Sequence, residues 1–300
     1  YEVNFPRAFN YKTRFYGKLI GSQVNSEILG EIPSIVDAGV TSFHLRLDGN
    51  GPCYINDGQL LEFLQCASAA GALTCLHAEN GDIIDLYVRR LVTEGKTLPR
   101  FIPHARPPEV EAQATARAIS VADMAKAPIC LTSLSSAHAT EKVKAARDRG
   151  QAVIAETCPH YLTLSCDRYE DSEGVKYYCT PPLRPSWHSD VLWKAIVSGD
   201  IHIVSSDHRA FNYAGQKNLG KENFTLAPRG FPGIQERLAV MYSAGVHTGK
   251  ISPNRLVDIA CTTPARIFGL FPRKGTLAVG SDADMVIFDP EKIADRSTYD

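Results

Sequence analysis

Five short apolar runs, separated by stretches of helical spacing, constrain the fold of this chain most. They are "VTSFHLRL" (40–47), "ALTCLHA" (72–78), "APICLTSLS" (127–135), "AVIAETC" (152–158) and "IHIVSSD" (201–207). Runs this short read as strands. "YEVNF" at the start reads as a sixth. "NDGQLLEFLQCASAAG" has an Asp near its start and a Gly stop, as a helix does. "PPEVEAQATARAISVADMAKA" opens on prolines and acids, and "AHATEKVKAARDRG" closes on basic residues and Gly150. "SWHSDVLWKAIVSGD" carries a Ser/Asp cap pattern and stops at Gly199. Strands alternating with helices mean an α/β protein with a parallel sheet.

A doubly wound sheet and a (β/α)8 TIM barrel both satisfy that alternation. Polar residues at the ends of several strands favour the barrel: His77, Glu79 and Asn80, then Ser133 and Ser135, then His160, then Asp207 and His208. A barrel keeps its site at the C-terminal ends of its strands. No GxGxxG turn supports a dinucleotide fold. Five or six strands are fewer than eight, and the chain opens on Tyr1 and runs to Asp300 without a terminating signal. A piece of a longer protein is the expectation. "PRKGTLAVGSDADMVIFDP" reads as a hairpin at the edge of a small β domain. The expected division is 1–271 for a partial barrel and 272–300 for the hairpin.

The formal net charge of −1 offers nucleic acid and membrane surfaces no attraction. No apolar run approaches the ~20 residues of a membrane span. The eight cysteines form no CxxC pair, and several sit in apolar runs. They read as small buried hydrophobes in a reducing compartment, here the cytoplasm.

Three stretches carry candidate chemistry. In "LHAENGD" His77 stands at a strand end, where an imidazole binds a divalent metal or is a hydrogen-bonded core histidine. In "IVSSDHRAFN" Asp207 is a metal ligand or general base, or else a helix N-cap. In "GVTSFHLRLDG" His44 is a ligand, a base or a core histidine. His160 of "ETCPHYL" reads as structural before functional. The Pro/Gly-rich segments around 177–185 and 219–238 are surface loops or loops closing over a substrate.

The motifs "HAENGD", "RPPEVEAQATARAI", "ETCPHYL", "TPPLRP", "SDHRAFN" and "TTPARIFGLFPRKGTLAVGSDADMVIFDP" occur in one order along the chain. Together they resemble the dihydropyrimidinase/D-hydantoinase family of cyclic amidohydrolases, which includes the catalytically silent collapsin response mediator branch. The resemblance implies a TIM barrel with N-terminal strands missing and part of a small β-sandwich at the C-terminus. It implies opening of a cyclic amide to an N-carbamoyl acid at zinc, and a tetramer. His77 matches a metal-ligand histidine, and Asp207 the ligand and general-base aspartate. The His-x-His pair of the family's first strand does not occur in this sequence. A serine and an asparagine whose main chains contact the substrate ring match Thr180 and Arg229.

Three positions depart from the family. His44 stands where a bridging carboxylated lysine is expected, Ser133 where a further ligand histidine is expected, and Gly49 where an oxyanion-stabilising tyrosine is expected. A histidine forms no bridging carbamate, so at most one zinc is expected. The competing expectations are a cyclic-amide hydrolase with a degenerate site, a one-metal hydrolase of another amide, and a non-catalytic partner-binding scaffold. The 300-residue chain alone is expected to be inactive, because the His-x-His pair is not in it.

Overall fold

The computed structural model describes residues 24–49, 55–230 and 232–292. Five parallel strands lie side by side in chain order: β1 Ser42–Arg46, β2 Leu73–His77, β3 Ile129–Leu131, β4 Val153–Thr157 and β5 Ile203–Val204. Each lies inside one of the five apolar runs and is shorter than it. The polar ends of the runs leave the ladder: Ser133 and Asp207 both take left-handed backbone, with φ of 58° and 43°. "YEVNF" lies outside the described residues.

The connections are helical: α1 Ser26–Asp37, α2 Asp57–Ala69, α3 Gly81–Thr93, α4 Pro108–Ala125, α5 Ala137–Asp148 and α6 Ser186–Ser198. The sequence reading missed α1, whose periodicity is interrupted by Pro33. Its start is set by Asn25, whose side chain accepts from the Ile28 N–H. At α2 the cap is Asn56 and not the neighbouring Asp. The Asn56 side chain accepts from the Gln59 N–H, and the Gln59 side chain accepts from the Asn56 N–H. The Ser/Asp cap expected at α6 is absent, because Pro185 precedes the helix without a side-chain bond. One residue of α6 instead serves the next helix over: His188 Nδ1 accepts from the Ala137 N–H at the start of α5. Gly199, with φ of 86°, ends α6 as expected.

Alternation along the strands gives the sheet two different faces. Phe43, Leu45 and Leu47 are buried on one face of β1 and its extension. Phe43 packs edge-on against Phe63 of α2, with ring centroids 5.7 Å apart. Leu60, Leu64 and Ala67 of α2 and Ala114 and Ala118 of α4 belong to the same core. Each large side chain buried there stabilises the layer by about 1.5–3 kcal/mol. The other face is the interior one. His44, Cys75, Cys130 and Ile154 are register partners across four strands, and Arg46 pairs with His77 two residues further on.

None of the seven described cysteines is disulfide-bonded, and Cys75, Cys130, Cys158 and Cys179 are buried. No described helix is long and apolar enough to cross a membrane. Residues 272–292 form turns and no strand ladder. The chain does fold back there: the Asp282 N–H donates to Arg273 O, and Lys274 pairs with Asp282 and Asp284. An isolated two-stranded hairpin is only marginally stable, so closure without a full ladder is the physical outcome expected. Val279, Met285 and Ile287 stay exposed.

Candidate active site

The ends of β1 and β2 converge on a buried set of charges. Arg46 binds Asp48 through two hydrogen bonds, Nε to Oδ1 at 2.9 Å and Nη2 to Oδ2 at 2.7 Å. Arg106 donates to Asp48 Oδ2 at 3.2 Å and to Glu79 Oε2 at 2.5 Å. His77 Nε2 lies 2.9 Å from the same Glu79 oxygen and 3.8 Å from Asp48 Oδ2. Asp48, His77, Glu79 and Arg106 are all at most 3% exposed. Burial alone would raise the Glu79 pKa, but the Arg106 guanidinium and the His77 hydrogen bond outweigh it and hold the carboxyl at about 2. Asp48 is likewise held well below the usual carboxylate range: burial is opposed by Arg46, His77 and Arg106.

Gly81 makes this convergence possible. A Cβ there would lie 2.9 Å from the Gly49 carbonyl oxygen and 3.0 Å from the Asp48 backbone. The start of α3 therefore lies directly against the end of β1, and Asp48 comes within reach of His77.

An ionised carboxylate only accepts hydrogen bonds, so the proton between Glu79 and His77 sits on Nε2. In the neutral ring Nδ1 then carries the lone pair. Among the described residues His77 makes its side-chain hydrogen bond through Nε2 alone, and the buried atom of the group left without a partner is Glu79 Oε1. Metal-ligating histidines are oriented this way, with the far N–H held by a carboxylate. Asp48, His77 and Glu79 do place three donor atoms within 4.8 Å of one another. That trio suits a cation poorly, because Arg46 and Arg106 already balance its two carboxylates. The donor chemistry fits a divalent metal at one atom of the group, His77 Nδ1, with the carboxylates and arginines as its support.

A second lattice extends the support. Arg184 donates to Glu111 at 3.0 Å and to Ser135 Oγ at 2.9 Å, and it also donates to the Arg106 carbonyl. Ser135 Oγ donates to Glu111 at 2.6 Å. The loop before α4, the end of β3 and the segment 177–185 are thus tied behind His77. Sequence reasoning missed Asp48, Arg106, Glu111 and Arg184. The available signal was an arginine before proline in both "ARPP" and "LRPS", inside loops otherwise poor in charge.

The remaining candidates lie along the same strand-end rim. His44 is half-buried, and its Nε2 lies 3.2 Å from Thr132 Oγ1. Ser133 is buried beside Cys158, their Oγ and Sγ atoms 4.0 Å apart, and Cys158 lies 3.6 Å from Ser205 Oγ. Asp207 is not a helix cap, because the next described helical turn is Lys217–Gly220. It lies near the buried thiols of Cys158 and Cys179, whose pKa values burial first, and then its charge, push upward. Asp207 does not join His77 in a group of three donors among the described residues. Thr180 is buried, and Arg229 lies on a facing loop whose Gly230 N–H donates to Tyr178 O at 2.7 Å. His160 is buried with its pKa pushed down to about 3 by burial, which keeps it neutral.

The chain is similar to proteins of known activity. It is 43% identical over 285 residues to a D-hydantoinase of Streptomyces coelicolor, covering 94% of this chain and 61% of that protein. Against a D-hydantoinase of Ralstonia pickettii the identity is 44% over 266 residues, covering 88% of this chain and 58% of that protein. The crystal structure of dihydropyrimidinase from Brevibacillus agri matches with a TM-score of 0.85 and 43% identity, over 87% of this chain and 57% of that one. The chain thus spans about three fifths of the length of these curated relatives. Their TIM-barrel fold is the one to which the five-stranded sheet belongs. The amidohydrolase family model matches residues 45–299, and the chain belongs to that family.

Proposed function

We propose that this chain carries the strand-end face of a metal-dependent hydrolase that opens cyclic amides, dihydropyrimidines or hydantoins, to N-carbamoyl acids. The observation that carries this reading is His77, fixed by Glu79 through Nε2 with Nδ1 left as a ligand atom. A zinc ion bound there would polarise the scissile carbonyl and lower the pKa of water toward ~7. His77 would hold it, with Asp207 as a second ligand from the end of β5. Asp207 is also assigned the proton transfer, taking a proton from the attacking water and delivering it to the leaving ring nitrogen. Thr180 and Arg229 flank the ring through their main chains. His44 replaces the bridging lysine and is tied to Thr132, so at most one zinc is expected. Residues 272–300 are assigned to the edge of a small β domain, and a homotetramer in the cytoplasm is the assembly and location proposed.

A second reading has its own observation. The one group of three donors among the described residues, Asp48, His77 and Glu79, does not include Asp207. A non-catalytic scaffold on the same fold would need no ligand group around Asp207. Hydrolysis of hydantoin and dihydrouracil separates the two. The hydrolase reading expects turnover by the full-length protein that falls at least about a hundredfold in Asp207→Asn. No turnover by full-length protein supplied with zinc would leave the scaffold reading.

A further inference from the structure

Residues 178–185 form no helix or strand, yet side chains hold them in place. Tyr161 Oη donates to Pro181 O at 2.8 Å, and the Leu183 N–H donates to Tyr169 Oη at 3.0 Å. Arg184 donates back to the carbonyl of Arg106, the residue that anchors Glu79 beside His77. A further tie runs forward along the chain. Tyr178 O accepts Lys217 Nζ at 2.7 Å and the Gly230 N–H at 2.7 Å. A carbonyl oxygen has two lone pairs, so both are used. This one atom joins the segment carrying Thr180 to the loop carrying Arg229.

Lys217 is a costly donor for that bond. It is 3% exposed, and no carboxylate pairs with it among the described residues. Its Nζ lies 5.8 Å from the centre of the Phe211 ring, and burial pulls its pKa down to about 8. A buried cation without a counter-ion is unfavourable. What a cation supplies in return is a stronger hydrogen bond than a neutral donor makes.

We propose that Lys217 is a positioning residue for the substrate ring: through Tyr178 O it sets the spacing of the two main-chain segments, at Thr180 and Arg229, that flank the ring. The assignment rests on the cyclic-amide reading and deepens it. Lys217 acts through the carbonyl and takes no part in proton transfer. Main-chain contacts to the ring hold the ground state and the transition state alike, so their loss falls on KM and not on kcat.

Turnover and equilibrium binding of hydantoin test this in the full-length protein supplied with zinc. Lys217→Met keeps the apolar stem and removes the donor. Gly230→Ala drives a Cβ into Arg209 Cβ at a φ of 130° and so displaces the second donor to the same carbonyl. Each is expected to raise KM at least about tenfold with kcat little changed. Lys217→Arg, which keeps a cationic donor, is expected to recover part of the KM. A merely structural role would lower kcat in proportion to the folded fraction and leave KM where it was. That result, with an active parent, would overturn the positioning role and leave the hydrolase reading standing. Hydantoin binding by an inactive parent, weakened in Lys217→Met, would support the positioning role and overturn the hydrolase reading. Neither binding nor turnover in the parent would overturn both.

Discussion

At the scale of single residues, His77 is defined by what holds it. Its strand-end place is readable from "LHAENGD", and so is Glu79 two residues on. Its other supports are not, because Arg106 arrives from a loop 27 residues beyond Glu79 and Asp48 from the preceding strand. Pairings over such separations leave no periodicity in a sequence. Replacing Arg106 with Leu strands the buried Glu79 carboxylate and leaves Asp48 to Arg46 alone. A loss of about 3–5 kcal/mol in urea unfolding is expected, and a loss below 1 kcal/mol would mean the lattice is not under strain from burial. His160 makes a separate prediction. Its pKa is about 6.5 when unfolded and about 3 when folded. The stability it contributes is full above pH 6.5 and is lost as pH falls toward 3, by about 1.4 kcal/mol per unit. His160→Phe should flatten that part of the stability–pH curve, and an unchanged curve would contradict the assignment.

At the scale of elements, the sequence located all five described strands and four of the six labelled helices. Strands declared themselves by short apolar runs, and the long helices by spacing and end signals. What failed was local. Pro33 masked α1, and α3 is not delimited because the stretch after Glu79 and Asn80 reads equally as the start of a loop or of a helix. The cap at α6 was misread because Ser and Asp are capping types wherever they stand, while the chain there enters through Pro185. Gly81 is the element-scale residue with the clearest consequence. Gly81→Ala places a methyl against the Asp48–Gly49 backbone, and a loss of about 1–3 kcal/mol is expected in chemical unfolding. A neutral result would show that α3 can retreat from β1 without disturbing Asp48.

At the scale of the whole molecule, the proposed reading has His77 and Asp207 keep the family's site chemistry. Relatives named D-hydantoinase share about two fifths of its residues, and the barrel face is shared with them. In the same proposed reading His44, Ser133 and Gly49 take the places of a bridging lysine, a ligand histidine and an oxyanion tyrosine. His77 was legible by itself, but its convergence with Asp48 and Arg106 was not, since that depends on how β1, β2 and the loop before α4 meet in space. The central claim is that His77 is an anchored metal ligand at a one-metal site. Zinc content per chain after dialysis tests it most directly, measured for the full-length protein and for His77→Ala. One zinc in the parent protein, lost in His77→Ala, is the result predicted. Two zinc ions per chain, none, or one that survives in His77→Ala would contradict the account.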